Sequence, residues 1–244
     1  CQDNLMTRCE ITDLGAGGVR IGEGKSPERE EDVAQRNTVD NCFIHDAGRM
    51  YRGAVGVWIG RSSYNRVTHN EICDIRYTGV SVGWSWGYAE SSANNNLIEN
   101  NHIHHYGRWD RMYRPAVALS GVGMRVAHNL IHDAPHAAII FGGNDHVIEF
   151  NEIHSVCYES NDCGAIYAGR CWAIRGHVIR NNYLHHINGR KGLPCKGIYL
   201  DDSFAAAEVV GNVFHQVTFP IFLGGGRDNL FANNLFIDCP SSIY

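Results

Sequence analysis

One phrase recurs along this chain: VTHNEICD, IENNHIHH, VAHNLIHD, IEFNEIHS, VIRNNYLHH, VVGNVFHQ and LFANNLFID. Aligned on its central residue, the phrase gives the column Asn70, Asn101, Asn129, Asn151, Asn182, Asn212 and Asn234, preceded by Cys9 and Cys42 in two further copies. An apolar column from Met6 and Val39 to Phe231 lies three residues before it, and a second from Ile11 and Ile44 to Phe236 lies two residues after it. An uninterrupted strand alternates its side chains between two faces, so residues five apart cannot share one. The chain must turn between the two columns. Asparagine tolerates left-handed backbone better than other non-glycine residues, which predicts a corner at the asparagine and a ladder of stacked amides linking successive coils.

A second β-rich run follows in each copy: GVRIG, VGVWIG, GVSVG, PAVALSG, AAIIFGG, GAIYAG, GIYLDD and PIFLGGG. Short strands broken by polar corners, with no segment of helical period, describe a parallel β-solenoid. The shortest repeat is 22 residues, the size of a right-handed parallel β-helix coil. A leucine-rich horseshoe would need LxxLxL runs and a helical segment, and neither is present. The predicted fold is therefore an all-β, right-handed parallel β-helix of about nine rungs with an Asn ladder, forming one domain over residues 1–244. Stacked at the ~4.8 Å strand spacing, nine coils make a rod roughly 40 Å long. Cys1 starts almost inside the first coil and Tyr244 stops inside the last, so either a longer parent chain or an end-to-end stacking neighbour is expected.

A formal net charge of -5 offers no basic excess for a nucleic-acid backbone, and no apolar stretch approaches a membrane span. Nine cysteines are scattered from Cys1 to Cys239 without CxxC pairs, a spacing that fits neither a zinc ribbon nor a dense disulfide framework. Cys157 and Cys163 are close enough in sequence to close a small loop.

Extra residues collect around the second β-rich run: before it in half of the complete repeats, and after Ile21, Val82 and Ala168. A solenoid sorts its insertions onto one face, so this sheet is expected to floor a walled groove. All five tryptophans, Trp58, Trp84, Trp86, Trp109 and Trp172, fall on this run or in its loops, as do Tyr113, Tyr158, Tyr167 and Tyr199. Flat amphipathic rings beside charged groups suit a sugar; they also suit plain capping of the core.

Within GIYLDD, Ile198 and Leu200 share the inward face, which sends Tyr199 and Asp201 outward. One coil earlier, GAIYAGR sets Tyr167 near Tyr199 and Gly169 beneath Asp201, where open volume is expected. The insertion YESNDCG brings Glu159 and Asp162 toward the same region. Paired carboxyl groups across a sugar-sized space are what glycosidic cleavage needs: one protonates the leaving oxygen, the other acts as nucleophile or activates water. Asp201 and Asp202 as a mere Asx-type corner is the competing reading.

The series YRPAVALSGVG, HNLIHDAPHAAIIFGGNDHVIEFNEIH, YESNDCGAIYAGRCW, GHVIRNNYLHHI, GIYLDD and LGGGRDN resembles the β-helix proteins of, or close to, glycoside hydrolase family 141, over nearly the entire chain. The resemblance implies a secreted or periplasmic bacterial enzyme acting on plant cell-wall polysaccharide, with α-L-fucoside or xylan hydrolysis as the activity. It also places catalytic carboxylates at Asp162 and within the Asp201–Asp202 pair. The chain departs from the family pattern at Cys171, where relatives carry an acidic residue.

Six positions just past the second apolar column are histidine: His45, His104, His132, His154, His185 and His215. Metal ligands must converge on one point, whereas these are expected to stack one per coil as a solvent-facing ladder, so no metal or other cofactor is predicted. His136, Asn144, Asp145 and His146 flank the groove strand and are candidates for positioning substrate. Arg170 and Arg227 are candidates for binding hydroxyls or a uronate carboxylate, and Trp172, Tyr167, Tyr199 and Glu159 complete the expected saccharide-binding set. A polysaccharide lyase or epimerase using Tyr199, His136 or Arg170, and a non-catalytic carbohydrate-binding solenoid, remain as alternatives, because fold alone does not choose.

Overall fold

The computed structural model describes residues 1–25, 27–84 and 91–244. Trp86 lies outside the described residues. Three parallel sheets run the length of the chain: a first of nine strands from Leu5–Thr7 to Leu230–Ala232, a second of nine from Glu10–Ile11 to Leu235–Ile237, and a third of eight from Val19–Ile21 to Phe219–Leu223. Each coil contributes one strand to each sheet in turn. The chain is a right-handed parallel β-helix of nine coils; in the ninth, the parallel bridge of Ile243 to Ile221 continues the third sheet. No helix among the described residues is long and apolar enough to cross a membrane.

Strand register follows the apolar columns. Met6 pairs with Val39 and Val39 with Val67 in the first sheet, while Ile44, Ile72 and Ile103 align in the second. A third inward column, Val57, Val80, Val117, Ile139, Ile166, Ile198 and Ile221, closes the triangle. These side chains are fully buried except at the two ends, where Met6, Ile11, Phe231 and Phe236 are partly exposed. A coil cannot bury its apolar face alone; its neighbours do it.

The predicted ladder is present, with a correction to its geometry. Asn70, Asn101, Asn129, Asn151 and Asn182 each send both the backbone N–H and the side-chain amide to the Oδ1 of the next asparagine, at 2.9–3.0 Å. The left-handed residue, however, is the one before the asparagine: His69, Asn100, His128, Phe150 and Asn181 all have φ between 54° and 56°. That residue makes the turn, which directs the next side chain inward, and a buried amide then has to find a partner in the adjoining coil. Asparagine is required for the ladder rather than for its own backbone conformation.

A second buried column, not anticipated from the sequence, lines the corner from the third sheet back to the first. Asn4, Asn37, Asn65 and Asn96 link coil to coil through the same amide bonds. Met124, His146 and His177 then take over: the Asn96 N–H meets the Met124 sulfur at 3.4 Å, the Met124 N–H the His146 Nδ1 at 3.1 Å, and the His146 N–H the His177 Nδ1 at 3.2 Å. Here too the preceding residue is left-handed, as at Arg36, Tyr64, Asn95 and Asp145. Burial drives the His146 pKa down to about 4 and the His177 pKa to about 3, so both imidazoles are neutral acceptors.

Candidate functional site

The aspartates predicted from GIYLDD sit on the outer face of the third sheet, where coil six (strand Gly164–Gly169) meets coil seven (strand Lys196–Asp201). Register sets Tyr167 beside Tyr199 and Gly169 beside Asp201. The two rings meet edge to face at 5.2 Å. The Tyr167 hydroxyl donates to Asp201 Oδ2 at 3.0 Å, and the Tyr199 hydroxyl to Asp162 Oδ1 at 3.4 Å. Burial, together with the Asp201 carboxylate, raises both phenol pKa values, so both tyrosines stay protonated donors. Asp162 and Asp201, distant in sequence, are thus linked through two tyrosines whose rings touch.

The space beside Asp201 differs from expectation. A Cβ on Gly169 would stand 2.3 Å from the Asp201 Cβ, so glycine there permits the aspartate to lie against the strand; it does not leave an open hole. Tyr199 is only 8% exposed, although its face is outward, because Tyr167, Phe222 and the Lys196 ammonium surround its ring. Asp202 is the turn residue. It is exposed, its N–H returns to Asp201 Oδ1 at 2.9 Å as the corner reading anticipated, and its carboxylate faces the Arg170 guanidinium at 3.5 Å. The Arg170 N–H also reaches the Asp201 and Asp202 carbonyls, so this arginine braces the corner.

Lys196 was missed. Its ammonium is 3.0 Å from Asp162 Oδ1 and 4.5 Å from the Tyr199 ring centroid, and its side chain is 12% exposed. Strict alternation sends Lys196 inward with Ile198. Yet a Cβ on Gly197 would meet the Phe214 ring at 2.9 Å, so Gly197 and Ile198 both face the core and the chain turns between them. The signal was the small-residue column Gly18, Gly56, Gly79 and Gly197 ahead of each strand.

Other expected binding residues fall elsewhere. His136 is 1% exposed, with Tyr113 packed on its ring at 4.9 Å, and cannot touch a substrate from there. Glu159 is engaged by Arg111, which holds its carboxyl below the usual range. Asn144 accepts the Arg175 N–H at 3.0 Å, Asp145 is a left-handed corner residue, and His146 belongs to the second ladder; all three serve the corner beyond the third sheet. Arg227 pairs with its neighbour Asp228 at 3.7 Å rather than reaching the aspartates. Trp172 is 80% exposed on the loop after Gly169.

Loops before the third sheet form the expected wall through contacts between coils. Arg52 pairs with Asp110 at 2.9 Å, Arg114 covers the Tyr77 ring, Arg76 covers Trp109 at 4.2 Å, and Arg111 reaches Glu159. Trp58 and Trp84 meet at 5.5 Å nearer the first coils, where a separate charged cleft of ≈ 630 Å³ is lined by Arg20, Glu23, Lys25, Arg29, Asp32 and Arg61. That cleft lies several coils from the aspartates, and none of the expected site residues lines it.

The histidine column stacks as foreseen over four coils: His104 on His132, His132 on His154 and His154 on His185, with ring planes 2–18° apart and centroids 4.7–5.1 Å apart. Its rings are half-buried. Contrary to the one-per-coil argument, ligand atoms of Glu71, His102 and His104, and of Glu152, His154 and His185, do converge to within 4.8 Å. In the first set, register aligns Glu71 with His102; in the second, Glu152 aligns with Tyr183 and reaches His185 diagonally at 3.2 Å. No disulfide closes the loop between Cys157 and Cys163; Cys163 Sγ instead lies 3.4 Å from Cys195 Sγ.

Among solved structures, a chain described as "Glycoside hydrolase" matches with a TM-score of 0.63 at 16% identity, covering 84% of this chain and 37% of that one. A tailspike protein mutant of E. coli bacteriophage HK620, in complex with pentasaccharide, matches all of this chain and 43% of its own, with a TM-score of 0.66 at 10% identity. The Agl-KA catalytic domain matches all of this chain and 47% of its own, with a TM-score of 0.58 at 13% identity. This chain spans less than half of each of these proteins, and identities so low speak to the fold. No curated protein matches. The family model for the right handed beta helix region matches residues 1–120 and 91–236, and the chain belongs to that family.

Proposed function

We propose that this protein hydrolyses glycosidic bonds in an acidic or fucosylated plant-type glycan, with Asp162 and Asp201 as the two working carboxyl groups and Asp202 as the corner that holds Asp201. The observation that carries this reading is the shared tyrosine pair: Tyr167 donates to Asp201 at 3.0 Å, Tyr199 to Asp162 at 3.4 Å, on the outward face beside a loop wall. A glycosidic oxygen seated over Tyr199 would have one carboxyl group to protonate it and a second to attack the anomeric carbon or activate water. Lys196, 3.0 Å from Asp162, orients that carboxylate. Arg170 and Trp172, on the next loop, are placed to hold sugar hydroxyls and a ring face. The carbohydrate-related names of the structural neighbours support the substrate class, and such a substrate fits a secreted or periplasmic enzyme.

The test is a panel of aryl glycosides and pectic oligosaccharides, α-L-fucosides and xylan first, assayed with the native chain, Asp162→Asn and Asp201→Asn. A hydrolase loses turnover in both variants and keeps its affinity for the oligosaccharide. Binding without turnover in the native chain would instead identify a carbohydrate-binding solenoid. Products absorbing in the ultraviolet would identify a lyase.

A further inference from the structure

Beneath the aspartates lies a group of side chains that the sugar chemistry does not use. Cys157, Cys163 and Cys195 are each at most 1% exposed, and their sulfur atoms lie within 4.8 Å of one another. Two of them come from one column. Ile139 pairs with Ile166, and Gly164 with Lys196; carried back along the strands, the same register aligns His136, Cys163 and Cys195 on three successive coils at the corner entering the third sheet. Cys157 arrives from the end of the second sheet, its N–H bonded to the His136 carbonyl at 3.2 Å. His136 is the independent observation. Both of its ring nitrogens are buried with no hydrogen-bond partner, a condition that costs about 1–3 kcal/mol per group and is rare in folded proteins.

We propose that Cys157, Cys163 and Cys195 form a structural site for a thiophilic divalent cation of the zinc class, with the imidazole of His136, whose nitrogens are not within 4.8 Å of all three sulfurs, turning in as the fourth ligand. Three cysteines and one histidine are a recurrent tetrahedral set for such an ion. Metal–sulfur bonds of about 2.3 Å place tetrahedral sulfurs ~3.8 Å apart, and the observed spacing brackets that value, with one pair at 3.4 Å and all three within 4.8 Å. On coordination each thiol releases its proton to solvent, and the imidazole binds neutral through one nitrogen. A disulfide between Cys163 and Cys195 is the rival use of the same atoms, but it would leave Cys157 idle and both nitrogens of His136 unpaired. A cation would use all three sulfurs and, with a shift of the ring, one nitrogen of His136. Its place gives it a purpose: Asp162 precedes Cys163 and Lys196 follows Cys195, so the ion would pin the roots of both segments that carry the Asp162–Lys196 pair. The proposal concerns metal binding and stands whether or not the sugar-cleavage reading holds.

The full-length chain, purified under reducing conditions and incubated with zinc, should retain about one zinc per chain after desalting, measured by elemental analysis. Cobalt loading should give the thiolate charge-transfer and ligand-field absorption of a tetrahedral site. Cys163→Ser, Cys195→Ser and His136→Ala should each bind zinc at least about tenfold more weakly, while Cys239→Ser, at a distant cysteine, should bind as the native chain does. Native protein that keeps no zinc, cobalt spectra lacking thiolate bands, or an intact mass and thiol count showing a Cys163–Cys195 disulfide in the isolated protein would overturn the proposal. These readouts are taken on the native chain, so failure of a variant to fold cannot protect it.

Discussion

The asparagine corner and the outer face of coils six and seven are built on the same stacked strands, yet they work in opposite ways. At the corner, every coil from the third to the ninth supplies the same residue, and each amide from Asn101 to Asn212 bonds its copies on both sides. On the outer face of the third sheet, register sets unlike residues side by side: Trp58, Ser81, Ala118, Ile140, Tyr167, Tyr199 and Phe222. The repeated column binds the coils to one another and offers nothing to a ligand. Where the repeat lapses, as at Gly169 beside Asp201, neighbouring coils can present complementary groups to something outside. In a solenoid, regularity marks the scaffold and departures from it mark candidate sites.

Substitutions should separate the two regions. Asp201→Asn or Asp162→Asn is expected to lower turnover about 10³-fold while shifting the melting temperature by less than about 2 °C, measured on any glycoside that the native chain cleaves. Asn151→Ala should do the reverse: it removes the acceptor of the buried Asn129 N–H and the side-chain donor to the Val126 and Glu149 carbonyls, while the Asn182 amide oxygen keeps only the backbone N–H of residue 151, costing about 3 kcal/mol in denaturant unfolding. Asn234→Ala, in the half-exposed last coil, should cost about 1 kcal/mol, and equal losses at the two positions would refute the account of the ladder as a buried network.

The second corner offers a pH test. His146 and His177 have folded pKa values of about 4 and about 3, below the ordinary 6.5. A depressed value means that the unfolded chain takes up protons first. The stabilisation is complete above about pH 6.5 and is lost as pH falls toward the folded values, about 3 kcal/mol for His146 alone. Thermal melts from pH 7 to pH 4 should show this loss, and His146→Asn, which restores the residue used at Asn65 and Asn96, should flatten the profile. The smallest effect is expected from Tyr167→Phe, which removes one donor to Asp201 and should reduce turnover about tenfold with little change in stability; an unchanged rate would argue that this hydroxyl does not orient the carboxylate.

The scaffold was legible because it is written many times. Apolar columns from Met6 to Phe231 and from Ile11 to Phe236 predicted the register of two sheets, and the asparagine column predicted the ladder. The second corner escaped notice because its residue changes from Asn96 to Met124 to His146, any of which can accept a bond from the backbone N–H of the preceding coil. Among the expected site residues, Asp162, Asp201, Tyr167 and Tyr199 do meet. His136 was misjudged because a place at the edge of the groove strand does not fix where its side chain points, and the corner buries it; Glu159 was misjudged because its partner Arg111 lies two coils away.

Sequence alone determined the coil, its sheets and which side chains face the core, since those depend on a local period repeated often enough to be unmistakable. Only the stacked structure decided which singular residues meet: Lys196 with Asp162, Cys195 with Cys163, Tyr167 with Asp201. Each of those pairs is more than thirty residues apart along the chain. Loop lengths that differ from coil to coil set their meeting, and the corners, where strand alternation lapses, set their direction.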